Sequence, residues 1–215
     1  MAHREPAPAA RRGLRVIWPT MKLKPLILVP AAVAALALAG CSSDDSPKAE
    51  EGCPPVPAEY KANPTWQVEG TSGCAVFTVT DDAKNQAPLI EIATPFSVDE
   101  TQVKTLIAGK GPKVAEDSNV NVFYEGVNGT TESVFDSAYE RGEPTAFQPK
   151  GVVKGFKQAL VGQNVGSTVA VVIPPKDGYG EEGGGDGYIG GEDTIVFAVK
   201  IMGLAAAPAP AQAGQ

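Results

Sequence analysis

The feature that most constrains this sequence is one short helical pattern that lies between long runs typical of β-strands. Within residues 151–160, Val153, Phe156 and Leu160 are spaced three and then four apart, so a helix would place them on one face. Helices shorter than about 12 residues are marginal in water, so this one needs an apolar surface to pack against. The sequence therefore predicts an α+β fold with one short helix on an antiparallel sheet. The main strand-patterned runs are 120–124, 167–173 and 194–199.

The remaining patterns divide the chain after residue 52 into an N-terminal extension, one domain and a tail. The extension, 53–97, contains runs typical of strands at 74–79 and 89–92, and we find no chemical motif in it. The pattern is continuous from 98 to 203, which is long enough for one compact domain. Within that domain we predict strands at 102–107, 119–127 and 134–136 and loops at 139–145 and 177–193, and we expect the Ala/Pro tail, 204–215, to be disordered.

Residues 1–40 are typical of an export signal. A basic start at Met21 precedes an apolar run, 26–39, that is shorter than the roughly 20 residues of a membrane span. Met21 is also an alternative start of translation. The sequence Leu-Ala-Gly-Cys at 38–41 resembles the bacterial lipobox, which implies that Cys41 is acylated. The alternative is an ordinary secretory signal in which Cys41 falls there by chance. We expect an exported protein, anchored by lipid to the outer face of the cell membrane, with residues 41–52 as its lipidated cysteine and polar tether.

Removal of residues 1–40 leaves a strongly acidic chain. It keeps 12 of the 18 basic and 24 of the 25 acidic side chains, a formal charge of −12. Such a surface repels phosphate, so we expect no nucleic-acid partner, and attachment to the membrane has to come from the lipid anchor. The only histidine is His3, so the remainder has no imidazole for Ser-His or Cys-His hydrolysis or for a zinc site. We expect neither a metal nor a cofactor.

Two cysteines remain once Cys41 is assigned to the lipid. An exported chain meets oxidising conditions, so Cys53 and Cys74 can form one disulfide. A loop of that size is worth about 3 kcal/mol in the chain-entropy model. Two unpaired thiols are the alternative.

A set of aromatic and aliphatic residues lies at the predicted ends of strands and beside loops. Core side chains normally lie within elements, so this placement indicates a lined cavity, and ordinary core packing is the alternative. One acid, Asp136, and one base, Arg141, accompany the set. Its members are Tyr124, Phe135, Val152, Val153, Phe156, Tyr179, Ile189 and Phe197.

Five sequence blocks that contain these residues resemble, in order, the motifs of FKBP-type peptidyl-prolyl cis–trans isomerases. The resemblance covers about half of the chain, from roughly 98 to 203, and the order of the five blocks makes it specific. It implies a curved antiparallel sheet wrapped around the one short helix, with an apolar pocket between them. With the lipobox, the chain resembles a bacterial lipoprotein of this family, and we expect an actinobacterial source. The blocks are VFYEG at 122–126, FDS at 135–137, GVVKGF at 151–156, IPPKDGYG at 173–180 and DTIVF at 193–197.

The resemblance also implies a role for each matched side chain. Phe156 would form the floor of the pocket, where the family commonly has Trp, and the Tyr179 hydroxyl would bind a substrate carbonyl. Asp136 would lie at the rim, held by Arg141. The implied catalytic residues are thus Tyr179, Asp136, Tyr124 and Phe156, and the implied substrate-binding residues are Phe135, Arg141, Val152, Val153, Ile189 and Phe197.

The implied reaction, rotation about the bond that precedes proline, breaks no covalent bond. It needs no nucleophile, and its substrates would be proline-containing unfolded or exported polypeptides. Macrolides such as rapamycin would be inhibitors, and we expect a monomer. Two departures from the family pattern leave room for a non-catalytic binding module or chaperone on the same fold. Thr145 stands where an aromatic wall residue is common, and Gly190–Gly191 replaces common prolines.

Overall fold

The computed structural model describes residues 52–205. The predicted signal peptide, the lipidation at Cys41, nearly all of the tether and the tail from residue 206 lie outside the described residues. No helix within residues 52–205 has the length and apolar character needed to cross a membrane.

The extension forms a three-stranded antiparallel sheet. Its strands are β1 (Thr65–Glu69), β2 (Ser72–Thr78) and β3 (Leu89–Ser97), in the order β1-β2-β3. The two predicted strands correspond to β2 and β3, whereas no strand was predicted over β1. The sequence signal for β1 is weak because Val68 is its only buried residue.

The second sheet has six strands, all paired antiparallel. In chain order they are β4 (Gln102–Ile107), β5 (Asn119–Asn128), β6 (Val134–Ser137), β7 (Thr145–Phe147), β8 (Thr168–Ile173) and β9 (Ile195–Ala205). The sheet order is β4-β8-β9-β5-β6, and β7 pairs with β5. Strand β9 continues beyond the predicted domain end at 203, because Leu204 and Ala205 pair with Val120 and Asn119 of β5.

Two α-helices accompany the sheet, α1 (Ala138–Arg141) and α2 (Lys154–Leu160). The prediction of a loop over 139–145 was wrong at both ends, since α1 and the start of β7 lie there. The side chain of Ser137 accepts a hydrogen bond from the Glu140 amide at the beginning of α1, and Gly142, with φ of 76°, ends it. The predicted helix is confirmed as α2, the only helix longer than one turn within residues 52–205.

Strand β8 lies between two apolar clusters. All six of its residues are buried, and successive side chains point to opposite faces of the sheet. Val169, Val171 and Ile173 pack in the cluster that contains α2, whereas Ala170 and Val172 pack with residues of the extension. The structure therefore has three layers, α2, the six-stranded sheet and the extension sheet. The predicted α+β fold, with a β-containing extension, is confirmed.

Polar contacts also connect the extension to the rest of the chain. Within the extension itself, a disulfide joins Cys53 to Cys74, whose Cα atoms are 5.3 Å apart. Asp82, in the turn between β2 and β3, accepts hydrogen bonds from Thr168 of β8 and from Lys200 of β9. The extension is thus held to the outer face of the sheet by apolar packing and by charged hydrogen bonds.

Candidate functional site

A cavity of ≈380 Å³ opens between α2 and the six-stranded sheet. Val152 and Val153 directly precede α2 and form one of its walls. Most of the side chains predicted for a pocket surround it. The lining residues are Tyr124, Phe135, Asp136, Thr145, Phe147, Gly151, Val152, Val153, Phe156, Tyr179 and Phe197.

Phe156 lies at the centre of the aromatic lining. It projects from α2 and is 4% exposed, as expected for the floor of the cavity. Its ring centroid is 6.1 Å from that of Tyr124, 5.6 Å from that of Phe147 and 4.9 Å from that of Phe197. The rings meet edge to face, an arrangement that aromatic quadrupoles favour. The floor is therefore apolar and fixed from several directions.

A glycine in β5 allows two further rings to approach the strand. A Cβ atom on Gly126 would lie 2.6 Å from the Phe197 ring and 2.7 Å from the Phe135 ring. Those two rings are perpendicular, with centroids 5.5 Å apart. Any side chain at position 126 would displace them from the cavity wall.

Phe147 is a lining residue that the sequence interpretation missed. It lies on β7 opposite Val120 of β5, and two residues away Thr145 also lines the cavity. The ring of Phe147 is 5.4 Å from that of Tyr124. Phe147 therefore supplies an aromatic ring to the cavity wall close to Thr145, which has none. The alternation in Thr-Ala-Phe at 145–147 was the available signal, but three residues are too few to predict a strand.

Three polar side chains form a hydrogen-bonded cluster at the rim. The Tyr124 hydroxyl donates to Asp136, and Arg141 donates to the Asp136 carboxylate at 2.5 Å and to the Tyr124 oxygen at 2.9 Å. Burial raises the pKa of Tyr124, and the hydrogen bond to Asp136 adds to that effect. The same carboxylate raises the pKa of Arg141. Asp136 is therefore held as an acceptor, and the Tyr124 hydroxyl stays protonated at neutral pH.

Tyr179 lines the same cavity and is 40% exposed. Burial raises the pKa of its hydroxyl, with a smaller contribution from the charge of Asp136, so the hydroxyl remains a donor at neutral pH. The Gly-rich segment 180–192, which we call the flap, packs on its ring. A Cβ atom on Gly184 would lie 2.3 Å from the Tyr179 ring, so the flap can lie this close only because residue 184 is glycine.

The turn that precedes Tyr179 is fastened by Asp177. This side chain is 5% exposed and accepts hydrogen bonds from Lys154 of α2 at 2.6 Å and from Thr101 at 2.8 Å. The Lys154 ammonium, and then the Thr101 hydroxyl, hold the pKa of Asp177 below its usual value. The sequence interpretation did not single out Asp177. It ties the segment that carries Tyr179 to the first residue of α2.

Two predicted substrate-binding residues do not line the cavity. Ile189 is 3% exposed and packs in the apolar cluster around α2, because the flap folds inward at this point. Arg141 acts behind Asp136 and Tyr124 at the rim. Both therefore support lining residues and do not form the cavity surface.

This cavity is lined by aromatic and aliphatic side chains, with the polar groups of Asp136, Thr145 and Tyr179 among them. A larger cavity, ≈530 Å³, lies on the extension beside the disulfide, but small residues line it and it contains no aromatic ring. Within residues 52–205, no three His, Cys, Asp or Glu side chains lie close enough to hold a metal ion. The smaller cavity is thus the better candidate for a functional site.

Comparisons with known proteins fall on the same region. A family model described as FKBP-type peptidyl-prolyl cis-trans isomerase matches residues 111–202. A probable FK506-binding protein of Corynebacterium glutamicum is 30% identical over 117 residues, which are 54% of this chain and 98% of that protein. An FK506-binding protein of Streptomyces anulatus is 32% identical over 104 residues, or 47% of this chain and 84% of that protein.

A longer relative matches over part of its length. The peptidyl-prolyl cis-trans isomerase Mip of Coxiella burnetii is 39% identical over 105 residues, which are 48% of this chain and 44% of that protein. The chain therefore matches less than half of the length of Mip.

Proposed function

This chain belongs to the family of FKBP-type peptidyl-prolyl cis–trans isomerases, and we propose that it accelerates the cis–trans exchange of prolyl bonds in exported polypeptides. The observation that carries the proposal is the apolar cavity above Phe156, with the Tyr179 hydroxyl at its opening. A proline ring fits such a site because the walls are aromatic and aliphatic, and the hydroxyl can bind a carbonyl of the flanking chain.

The mechanism follows from the amide bond itself. Rotation is opposed by resonance, with a barrier of about 18–20 kcal/mol. The twisted amide has lost resonance and is less polar than the planar one, so a site with little water stabilises it relative to the planar form. The floor formed by Phe156, Tyr124 and Phe197 provides that environment. No proton or electron pair has to leave the substrate.

The polar groups position the substrate. Tyr179 donates to a carbonyl next to the prolyl bond, which fixes one side of the bond while the other rotates. Asp136 is held as an acceptor by Arg141 and Tyr124, and it can take a hydrogen bond from the substrate at the rim. Neither group acts as a nucleophile.

Exchange of an X-Pro peptide is the direct test. The protease-coupled assay should show faster cis–trans exchange with this protein than without it, for a peptide with an apolar residue before proline. Rapamycin should remove the acceleration, because a macrolide would occupy the same cavity. Folded protein that leaves the exchange at its background rate would contradict the proposal.

A binding module or chaperone on the same fold is the second candidate. It is favoured by Thr145, which lines the cavity where an aromatic residue is common and which accepts a 3.3 Å hydrogen bond from Arg141. Such a protein would suppress aggregation of an unfolded chain and leave the rate of exchange unchanged. Measuring both properties on the same preparation separates the two candidates.

We further propose that the protein is a bacterial lipoprotein, of actinobacterial source, that acts as a monomer at the outer face of the cell membrane. The lipobox at 38–41 and the apolar run before it support this location. The negative charge of the remainder is consistent with attachment through lipid alone. If the Cys41→Ser variant stayed with membranes, or if Cys41 carried no lipid by mass spectrometry, the anchor would be wrong.

A further inference from the structure

Asn128 is a buried polar residue outside the cavity, and every polar atom of its side chain is hydrogen-bonded. It ends β5 and is 1% exposed. Its Nδ2 donates to the Tyr188 carbonyl at 3.0 Å and to the Asp193 carboxylate at 2.7 Å. Its Oδ1 accepts from the backbone amides of Thr130 at 2.8 Å and Thr131 at 3.3 Å. One side chain therefore joins the β5–β6 turn to the end of the flap.

Asp193 strengthens the same junction. Its carboxylate accepts a 2.6 Å hydrogen bond from the Thr130 hydroxyl and a 2.7 Å hydrogen bond from the Gly190 amide. The flap is thus held at Tyr188 directly by Asn128. It is held at Gly190 through Asp193, which Asn128 and Thr130 bind.

Contacts within the flap link the position of Tyr188 to that of Tyr179. Gly184 and Ile189 exchange two backbone hydrogen bonds, of 2.9 and 3.1 Å, so the residue after Tyr188 is paired with the residue that covers the Tyr179 ring. The close approach of Gly184 to that ring leaves little room for either to move independently. A displacement at Tyr188 would therefore change where the Tyr179 hydroxyl lies.

Residues at the end of the extension also contact the turn that follows Asn128. The Phe96 amide of β3 donates to the Gly129 carbonyl at 2.9 Å, and the amide of Val98, which directly follows the extension, donates to the Thr194 hydroxyl at 3.2 Å. The Gly129 amide donates in turn to the Thr194 carbonyl at 2.8 Å. The turn next to Asn128 is consequently held between the extension and β9.

We propose that Asn128 is a positioning residue for the isomerase site, which sets the place of the Tyr179 hydroxyl through the flap. The inference rests on the proposed function, since it concerns the same cavity. Asn128 is not among the residues that line the cavity. The hydrogen bonds from its Nδ2 keep the flap at the distance from β5 at which Tyr179 faces the opening.

The test combines Asn128→Ala with Tyr179→Phe in the whole protein. Asn128→Ala should lower kcat/KM for an X-Pro peptide by about 10-fold, whereas in the Tyr179→Phe background it should lower it by less than about 2-fold, because there is no hydroxyl left to position. Asn128→Asp keeps the acceptor for Thr130 and Thr131 but loses the donor to the flap. It also places a carboxylate oxygen opposite that of Asp193, so it should release the flap and lower kcat/KM at least as much as Asn128→Ala. Both variants are assayed under conditions in which near-UV circular dichroism shows them folded.

Asn63 provides the matched control. Its Nδ2 also donates to two carbonyls, those of Val79 at 2.7 Å and Thr80 at 3.1 Å, but it lies in the extension. Asn63→Ala should leave kcat/KM within about 2-fold of the wild type while lowering the urea midpoint.

Equal losses in both Tyr179 backgrounds, or an unchanged kcat/KM in folded Asn128→Asp, would overturn the proposal. Wild-type protein without isomerase activity would overturn the proposed function instead, and FK506 affinities of the wild type and the two Asn128 variants would then test the positioning of the cavity. Those affinities should fall in both variants, and unchanged values would again overturn the role of Asn128.

Discussion

The rings of Phe156 and Phe197 lie 4.9 Å apart at an interplanar angle of 66°. Phe156 comes from α2 and Phe197 from β9, so this contact joins the helix to the sheet at the floor of the cavity. The same pair therefore contributes to the stability of the fold and to the surface that would hold a proline ring.

Replacing the floor residue should reduce both stability and activity. Phe156→Ala removes a buried ring, so we expect a loss of about 3–5 kcal/mol in the free energy of unfolding. We also expect kcat/KM to fall by at least about 10-fold, since a wider and wetter cavity favours the twisted amide less. Denaturant unfolding and the peptide assay measure the two effects. Phe77→Ala is the control, because Phe77 is fully buried in the cluster on the other face. It should lose similar stability and keep its activity, and a parallel loss of activity would contradict the assigned floor.

Arg141→Leu should affect activity more than stability. The Arg141 and Asp136 side chains are about half exposed, and such ion pairs contribute at most about 1 kcal/mol. Without the guanidinium, Asp136 and Tyr124 lose their common donor, and we expect kcat/KM to fall by about 10-fold from misplacement of the rim. Lys84→Leu breaks another exposed ion pair, with Asp81 in the extension, and should leave kcat/KM unchanged. Equal kinetics of the two variants would show that the rim cluster has no role.

The buried carboxylate of Asp177 should contribute a pH-dependent part of the stability. Its folded-state pKa is lowered by Lys154 and Thr101, so its contribution is present above the unfolded-state value of about 3.9 and disappears as the pH falls through the folded-state pKa. At pH 7 we expect Asp177→Asn to be less stable than the wild type by about 1.5–3 kcal/mol. Urea unfolding between pH 7 and pH 2 should show the two proteins converge at the acidic end. A constant difference across that range would mean that the charge of Asp177 is not the cause.

Reduction of the disulfide should lower stability without changing the site. Cys53 and Cys74 are separated by 21 positions, for which the chain-entropy model gives about 3 kcal/mol. Urea unfolding with and without a phosphine reductant measures the difference. The kcat/KM of the reduced, folded protein should match that of the oxidised protein, since neither cysteine lines the cavity above Phe156. The Cys53→Ser/Cys74→Ser variant should not respond to the reductant.

The sequence predicted the parts of the site that carry chemistry more completely than the parts that support them. Phe156, Phe135 and Phe197 could be assigned because they lie in sequence blocks that resemble the motifs of the family, whereas their placement alone left ordinary core packing open. Phe147 could not be assigned, because β7 has three residues and no pattern of that length is decisive. Ile189 was assigned to the cavity because position in a loop does not reveal that the loop folds inward.

The supporting contacts depend on proximity that a linear pattern does not contain. Asp177 meets Thr101, 76 positions earlier in the chain, and Asn128 meets Asp193, 65 positions later. Neither side chain differs in sequence from an ordinary polar residue in a turn. Two of the three strands of the extension, β2 and β3, were predicted, but the face that they cover became evident only when Ala170 and Val172 were found packed beneath them.

The burial of β8 on both faces has a consequence for the design of a shorter fragment that keeps the cavity. A fragment trimmed to the family match, 111–202, would lack both β4 and the strands that shield Ala170, Val172 and Val196. The outer face of its sheet would be exposed and aliphatic, and the edge of β8 that pairs with β4 would be unpaired. Both features favour aggregation of the fragment. Residues 52–205 therefore form the unit in which both faces of β8 are covered, with the extension as the outer cover of the six-stranded sheet.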